Sequence, residues 1–188
     1  ADARRAARSP FFQRALSEWR QSPDDPTLSA DWRRRLQLEQ GANGYDDVLL
    51  FDPDGKLLLA ARDHPDPVAP ATRQVMTQAL AANDAVLSEF YRTASGSVYL
   101  DTAIPVPDPE GRPLAMLVLR SQADAYLYPL LQSWPMPSHS AETLLVRRDG
   151  DEIVYLNELR HRANSALSLR IPLTQSRLPA QRAVLGEQ

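Results

Sequence analysis

Apolar and polar positions along this chain follow two rhythms. Over Ala1–Arg20, Phe11, Phe12, Ala15, Leu16 and Trp19 recur at intervals of three and four with arginines between them, which predicts an amphipathic helix. Pro23-Asp24-Asp25-Pro26 breaks it. A second helix is expected with Ser29 as N-cap, Asp31 in the first turn and Leu28, Trp32 and Leu36 on one face. Gly41-Ala42-Asn43-Gly44 holds two C-cap signals and ends it.

The rhythm then changes. Tyr45–Ala60 reads YDDVLLFDPDGKLLLA, two apolar runs (Val48–Phe51 and Leu57–Leu59) around Asp52-Pro53-Asp54-Gly55. Pro53 presets φ at the first corner of a turn and Gly55 supplies the left-handed residue, so a β-hairpin is predicted. Both strands are apolar at successive positions, so each face of the hairpin needs a cover. The device recurs in TLLVRRDGDEIVYL, Thr143–Leu156, where Gly150 stands 95 residues after Gly55 and Leu144 95 after Leu49. Two hairpins of one pattern predict two related modules in tandem.

Arg62–Pro70 reads as a loop and Ala71–Ala82 as a helix with the stripe Val75, Met76, Ala79 and Leu80. Val86–Thr93, Ser97–Val106 and Pro113–Ser121 read as three strands joined by turn-rich segments. A five-stranded antiparallel sheet with a helix packed on one face accommodates these runs. Beyond it come a short helix, Ala123–Ser133, carrying Tyr126, Leu127, Leu130 and Leu131, and a linker at Trp134-Pro135-Met136-Pro137. The second hairpin is followed by an irregular stretch (157–166), a strand at Leu167–Leu173 and a helix at Leu178–Leu185. The expected fold class is α+β, with residues 1–44 helical, 45–133 a first module and 134–188 a partial second one. A module with a hairpin and helix but no returning strands cannot bury its sheet, so the natural protein is expected to continue beyond Gln188, and with no initial Met the chain is expected to be a piece of something longer.

Composition narrows the function. The net charge of −3 and pI of about 5.6 argue against a nucleic-acid surface, which needs a basic face. Lys56 is the single lysine, a skew that reflects codon usage. With no cysteine there are no disulfides, thiolate metal sites or thiol nucleophile. No apolar run approaches the roughly 20 residues of a membrane span.

Catalytic chemistry has little to rest on. His64, His139 and His161 lie in unrelated loops without metal-ligand spacing. Asp52-x-Asp54-Gly55 departs from a calcium loop, with Leu57 at the sixth position and Asp63 at the twelfth. There is no Gly-rich phosphate loop and no Gly-x-Ser-x-Gly, and no cofactor is expected. A binding cleft is better supported. Strand residues Tyr91, Tyr99, Asp101 and Arg120 could supply the few convergent polar groups of a small-molecule pocket; the alternative is that Asp101 and Arg120 form a cross-strand ion pair or are exposed.

The N-terminal helical stretch, YDDVLLFDPDGKLLLAA, SVYLDTAIPVPDPEGRPLAMLVLRSQADAYLYPLL, and SAETLLVRRDGDEIVYLNELRHR with the following LSLRIPL together resemble a double Cache domain, the PAS-like sensor region of bacterial transmembrane receptors. The last two segments are particularly similar to those of sensor histidine kinases and diguanylate cyclases. The resemblance implies a PAS-like periplasmic ligand-binding domain held between two membrane spans, with the N-terminal helix pairing in a homodimer and a small molecule as ligand. It adds Arg73, in the helix ATRQVMTQALAAN, to the candidate binding residues, although this helix lacks the Trp-Tyr pair of the amino-acid-binding members. The competing expectation is a cytoplasmic PAS-type interaction or dimerisation module.

Overall fold

The computed structural model describes residues 2–125, 127–133, 142–174 and 178–186. The linker at Trp134–Pro137, Tyr126 and His139 lie outside them. In chain order the elements are α1 (Asp2–Ala7), α2 (Pro10–Gln21), α3 (Pro26–Asn43), β1 (Asp47–Phe51), β2 (Leu57–Ala60), α4 (Pro70–Ala82), β3 (Val86–Leu87) and β4 (Tyr91–Arg92). Then follow β5 (Val98–Pro107), β6 (Pro113–Gln122), α5 (Leu127–Ser133), β7 (Val146–Asp149), β8 (Glu152–Tyr155), β9 (Arg170–Pro172) and α6 (Pro179–Leu185). They form two compact units, Ala1–Glu89 with Tyr99–Ser121, and Phe90–Val98 with Gln122–Gln188. Residues 90–98 and 122–133 belong to the second unit. No helix of the described residues is long and apolar enough to cross a membrane.

In the first unit the leading helix is two helices rather than one. Pro10 disfavours helical backbone at Ser9, whose φ of −68° and ψ of 130° are extended. Pro10 then serves as the first residue of α2. The start of α3 also differs from expectation. Asp25, not Ser29, is the N-cap, its carboxylate accepting from the Thr27 and Leu28 amides at 2.8 and 3.2 Å. Pro26 at the first helical position has no amide to satisfy, so the Pro-bounded segment begins the helix it was expected only to precede. Ser29 instead donates to the Pro23 carbonyl and accepts from the Trp19 indole, tying α3 to α2. Gly44, at φ 69°, closes α3 as anticipated.

The sheet of this unit runs β2-β1-β6-β5-β3, with β1 antiparallel to both β2 and β6. All five residues of β1 are buried, because both faces are covered. Val48 and Leu50 join Leu117, Leu119, Ile104 and Val106 against Leu16, Trp19, Trp32 and Leu36 of α2 and α3. Leu49 and Phe51 join Met116, Val118 and Ala103 against Val75, Met76 and Ala79 of α4. Both faces of the first hairpin are thus covered, as its consecutive apolar positions require; α4 is the helix expected on one face, and the N-terminal helices supply the other layer.

The expected strand 86–93 is two short pieces. Ser88 interrupts it, donating its amide to the Asp101 carbonyl while its hydroxyl accepts from the Asp101 amide. A side chain here does the work of a ladder carbonyl, and the strand ends.

The second unit contains the antiparallel sheet β7-β8-β9 with α6, around Ile153, Tyr155 and Ala180. A further cluster joins Val98, Ala123, Tyr128 and Ala166. The two hairpins share spacing but not turn geometry. In the first, the Gly55 amide closes onto the Asp52 carbonyl and the Asp52 amide bonds the Lys56 carbonyl, with Gly55 late in the loop at φ 85°. In the second, Asp149 faces Glu152 directly across Gly150-Asp151, with Gly150 first at φ 61°. Equal sequence offset did not carry equal register. The expected strand at 167–173 shortens to 170–172, since Leu167 has φ 57°, outside the extended region.

Candidate functional site

Alternation along three adjacent strands places one polar group after another on the α4 face of the first unit's sheet. On β1, Leu49 and Phe51 face α4, and Asp47 continues that series towards one end. On β6 the series is Met116, Val118, Arg120, and on β5 it is Ala103, Asp101, Tyr99. One end of this face is therefore apolar and the other carries Asp47, Arg120, Asp101 and Tyr99. Thr72, in the first turn of α4, reaches down onto the polar end.

The geometry there is closed and specific. Asp101 and Arg120 are 0% and 1% exposed. Arg120 donates from Nε to Asp101 Oδ1 at 3.1 Å and from Nη2 to Oδ2 at 3.3 Å. The Thr72 hydroxyl donates to Asp101 Oδ2 at 2.5 Å and accepts from Arg120 Nη2 at 3.2 Å. The Tyr99 ring lies 5.6 Å from the guanidinium carbon, within cation–π range. A buried charge pair is tolerated only when its remaining donors and acceptors are matched in this way.

Asp47 completes the cluster differently. It is the register partner of Arg120, and its Oδ1 accepts from the amides of Val48 and Arg62 at 2.8 and 3.2 Å. Its Oδ2 has no hydrogen-bond partner among the described residues. Burial pushes the Asp47 carboxyl above the usual carboxylate range, against the pull of those two amides and of Arg62 and Arg120. Burial also raises the Tyr99 phenol, with Asp46 and Asp66 adding to the shift.

Of the five residues proposed from the sequence, the structure brings together Tyr99, Asp101 and Arg120. Asp101 and Arg120 do form the cross-strand ion pair weighed as their alternative role. Arg73 is on the exposed side of α4, near the first hairpin, where its Nη1 is 3.9 Å from the position a Cβ on Gly55 would take. Tyr91 belongs to the second unit. Sequence reasoning missed Thr72 and Asp47. Thr72 precedes Arg73 on the helix and lies one turn before the apolar stripe, a signal that was available. Asp47 begins an apolar strand, and an acid leading such a run reads as solvent-facing until its partners are known.

Among the described residues no group of three or more His, Cys, Asp or Glu side chains could hold a metal ion. His64 and His161 are both exposed. Asp52 of the calcium-like motif accepts from the Lys56 amide at 2.8 Å, an arrangement a turn explains.

No protein-family model matches the chain, and no curated protein matches it. Solved structures do. The ligand-binding domain of the Pseudomonas aeruginosa PAO1 amino acid chemoreceptor PctC, in complex with GABA, is similar at 20% identity with a TM-score of 0.51 over 74% of this chain. The ligand-binding domain of the Pseudomonas fluorescens chemoreceptor CtaA, in complex with L-serine, is similar at 14% identity with a TM-score of 0.53 over 84%. The chain spans 60% and 64% of the length of those two domains. Its antiparallel sheet, covering helices and N-terminal helical segment are those of the Cache, PAS-like fold found in chemoreceptor ligand-binding domains.

Proposed function

We propose that this chain is the extracytoplasmic ligand-sensing region of a transmembrane receptor of the histidine kinase or diguanylate cyclase type, and that it detects rather than transforms a small molecule. The observation that carries this reading is the fold shared with chemoreceptor ligand-binding domains. The proposed arrangement is two PAS-like modules in tandem, the second partial, with residues 1–44 leading into the first. Membrane spans would flank the region, and the leading helices would pair across a homodimer.

The proposed ligand site is the polar end of the α4 face, with Tyr99, Asp101 and Arg120 at its floor. Arg73 is retained as an outer candidate of this site, and Tyr91 as a separate candidate within the second unit. Thr72 is the proposed transducer, because it anchors α4 to the ion pair through two hydrogen bonds. A ligand bearing an acceptor for Arg120 and a donor for Asp101 would replace that hydroxyl and move the helix. Only a ligand that binds the two positions of α4 with different free energies transmits anything.

The test is a thermal-shift panel of small metabolites, with L-serine and GABA among the first probes. A true ligand at a hundredfold its Kd stabilises the fold by about 2.7 kcal/mol. That stabilisation should vanish in Asp101→Ala; if it persists unchanged, Asp101 is not in the site. Flanking gene sequence without apolar spans on both sides would overturn the receptor reading.

A further inference from the structure

The opposite face of the same sheet carries a second feature that the sensing proposal does not use. Between the N-terminal helices and the strands β1 and β6 lies a cavity of about 200 Å³. Ala7, Phe12, Leu36, Val48 and Leu117 line it, so its wall is almost wholly apolar. Ala7 lies at the end of α1, just before the interruption at Ser9-Pro10, and its methyl is part of the cavity wall. An apolar cavity of about 150 Å³ is large enough to hold a benzene-sized molecule.

Two charged residues complete the lining, Arg35 and Glu39, one turn apart on α3. Arg35 is exposed and Glu39 half-buried, so they form the mouth. They are not equivalent. The Glu39 carboxylate accepts from Asn43 Nδ2 at 3.0 Å. The Arg35 guanidinium stacks instead, 5.1 Å from the Trp32 ring and 5.8 Å from that of Phe11. These ring contacts fix the cation over the entrance while leaving its planar N–H fork available for a carboxylate. An Arg preceding Glu by four residues is also the weaker order for a helical ion pair.

We propose that this cavity is a second binding site, distinct from the polar end of the α4 face, for a small apolar monocarboxylate whose ring or short chain fills the cavity and whose carboxylate pairs with Arg35. Occupation replaces missing dispersion contacts along Leu36, Val48 and Leu117 and ties α3 to the sheet through the ligand. The site stands independently of the α4-face reading, since the two share no residue.

The experiment is titration of the chain with benzoate, benzyl alcohol and benzylamine, followed by methyl NMR and calorimetry. Benzoate is expected to bind saturably, to shift the methyl signals of Leu36, Val48 and Leu117, and to bind more tightly than the alcohol, with the amine weakest. Arg35→Gln should weaken benzoate about tenfold, to the level of benzyl alcohol, while leaving the alcohol unchanged. Ala7→Leu, which fills the cavity, should abolish binding of both. The methyl shifts in the unsubstituted chain decide the location even if that variant folds poorly. Absence of saturable binding, benzoate shifts confined to other methyls, or a preference for benzylamine would each overturn the proposal. Loss of benzoate binding in an Asp101→Ala chain whose methyl spectrum is still that of the folded protein would also overturn it, by assigning the ligand to the α4 face.

Discussion

Asp47 and Arg120 sit opposite one another on β1 and β6, yet the guanidinium of Arg120 turns to Asp101 and Thr72, and one oxygen of Asp47 has no hydrogen-bond partner among the described residues. The polar end of the α4 face thus holds one carboxylate that is matched and one that is not. This asymmetry makes the two acids respond differently to substitution and to pH.

For Asp47 the folded carboxyl holds its proton to higher pH than the unfolded one, because burial disfavours the anion. The folded state therefore binds more protons between the two pKa values, and the stability that Asp47 contributes falls as pH rises through that window. Asp47→Asn keeps an oxygen for the Val48 and Arg62 amides but removes the titration. Urea unfolding from pH 4 to pH 8 should show the wild type losing ground to Asp47→Asn as pH rises; a constant difference would show that Asp47 is not the titrating group.

The matched pair predicts non-additivity. Replacing Asp101 by Asn or Arg120 by Met should each destabilise by roughly 3–5 kcal/mol, since the remaining partner is left buried and unmatched. Joint replacement should cost clearly less than the sum. A double-mutant cycle by chemical denaturation measures this, and additive values would mean that the two groups do not depend on each other.

Thr72→Val is nearly isosteric but removes a hydroxyl that both donates to Asp101 and accepts from Arg120. The expected loss is about 1–3 kcal/mol. Amide exchange should also quicken in the first turn of α4 ahead of the rest of that helix. Uniform change along α4 would separate the hydroxyl from the anchoring role.

At the other end of the unit, Asp25→Ala should destabilise by about 1 kcal/mol through loss of the α3 cap. Ser29→Ala should act through the Trp19 indole instead, leaving the α3 terminus intact and changing the tryptophan fluorescence. If Ser29→Ala frays the start of α3 in hydrogen exchange and Asp25→Ala does not, the cap has been misassigned.

In the second unit the Tyr128 hydroxyl donates to the Leu156 carbonyl, and burial raises its phenol far above the ordinary value. Tyr128→Phe should cost about 1 kcal/mol. Absorbance titration should show this phenol still protonated where exposed tyrosines have ionised.

Much of the architecture was legible because its causes are local. Val48–Phe51 is apolar at consecutive positions, which requires cover on both faces, and the two cores around β1 are that cover. Gly55 and Gly44 adopt the left-handed conformations that their turn and cap contexts called for. The misreadings came where two local rules compete. Ser29 and Asp25 are both acceptable caps, and Pro26 decides between them by tolerating the first helical position. The equal spacing of the two hairpins hid different turns, because a glycine's offset says nothing of which loop position it takes.

The sequence by itself determined the main helices and strands of the first unit and the burial of β1, since periodicity and turn chemistry act within a few residues. It also marked Tyr99, Asp101 and Arg120 as polar groups on otherwise apolar strands. Only the tertiary structure decided that Thr72 would lock onto Asp101, 29 positions away, and that Asp47 would lie opposite Arg120 with its Oδ2 unpartnered among the described residues. Those outcomes depend on the register of β1 against β6 and on the seating of α4, which are set by the packing of both cores together and by no single stretch of chain.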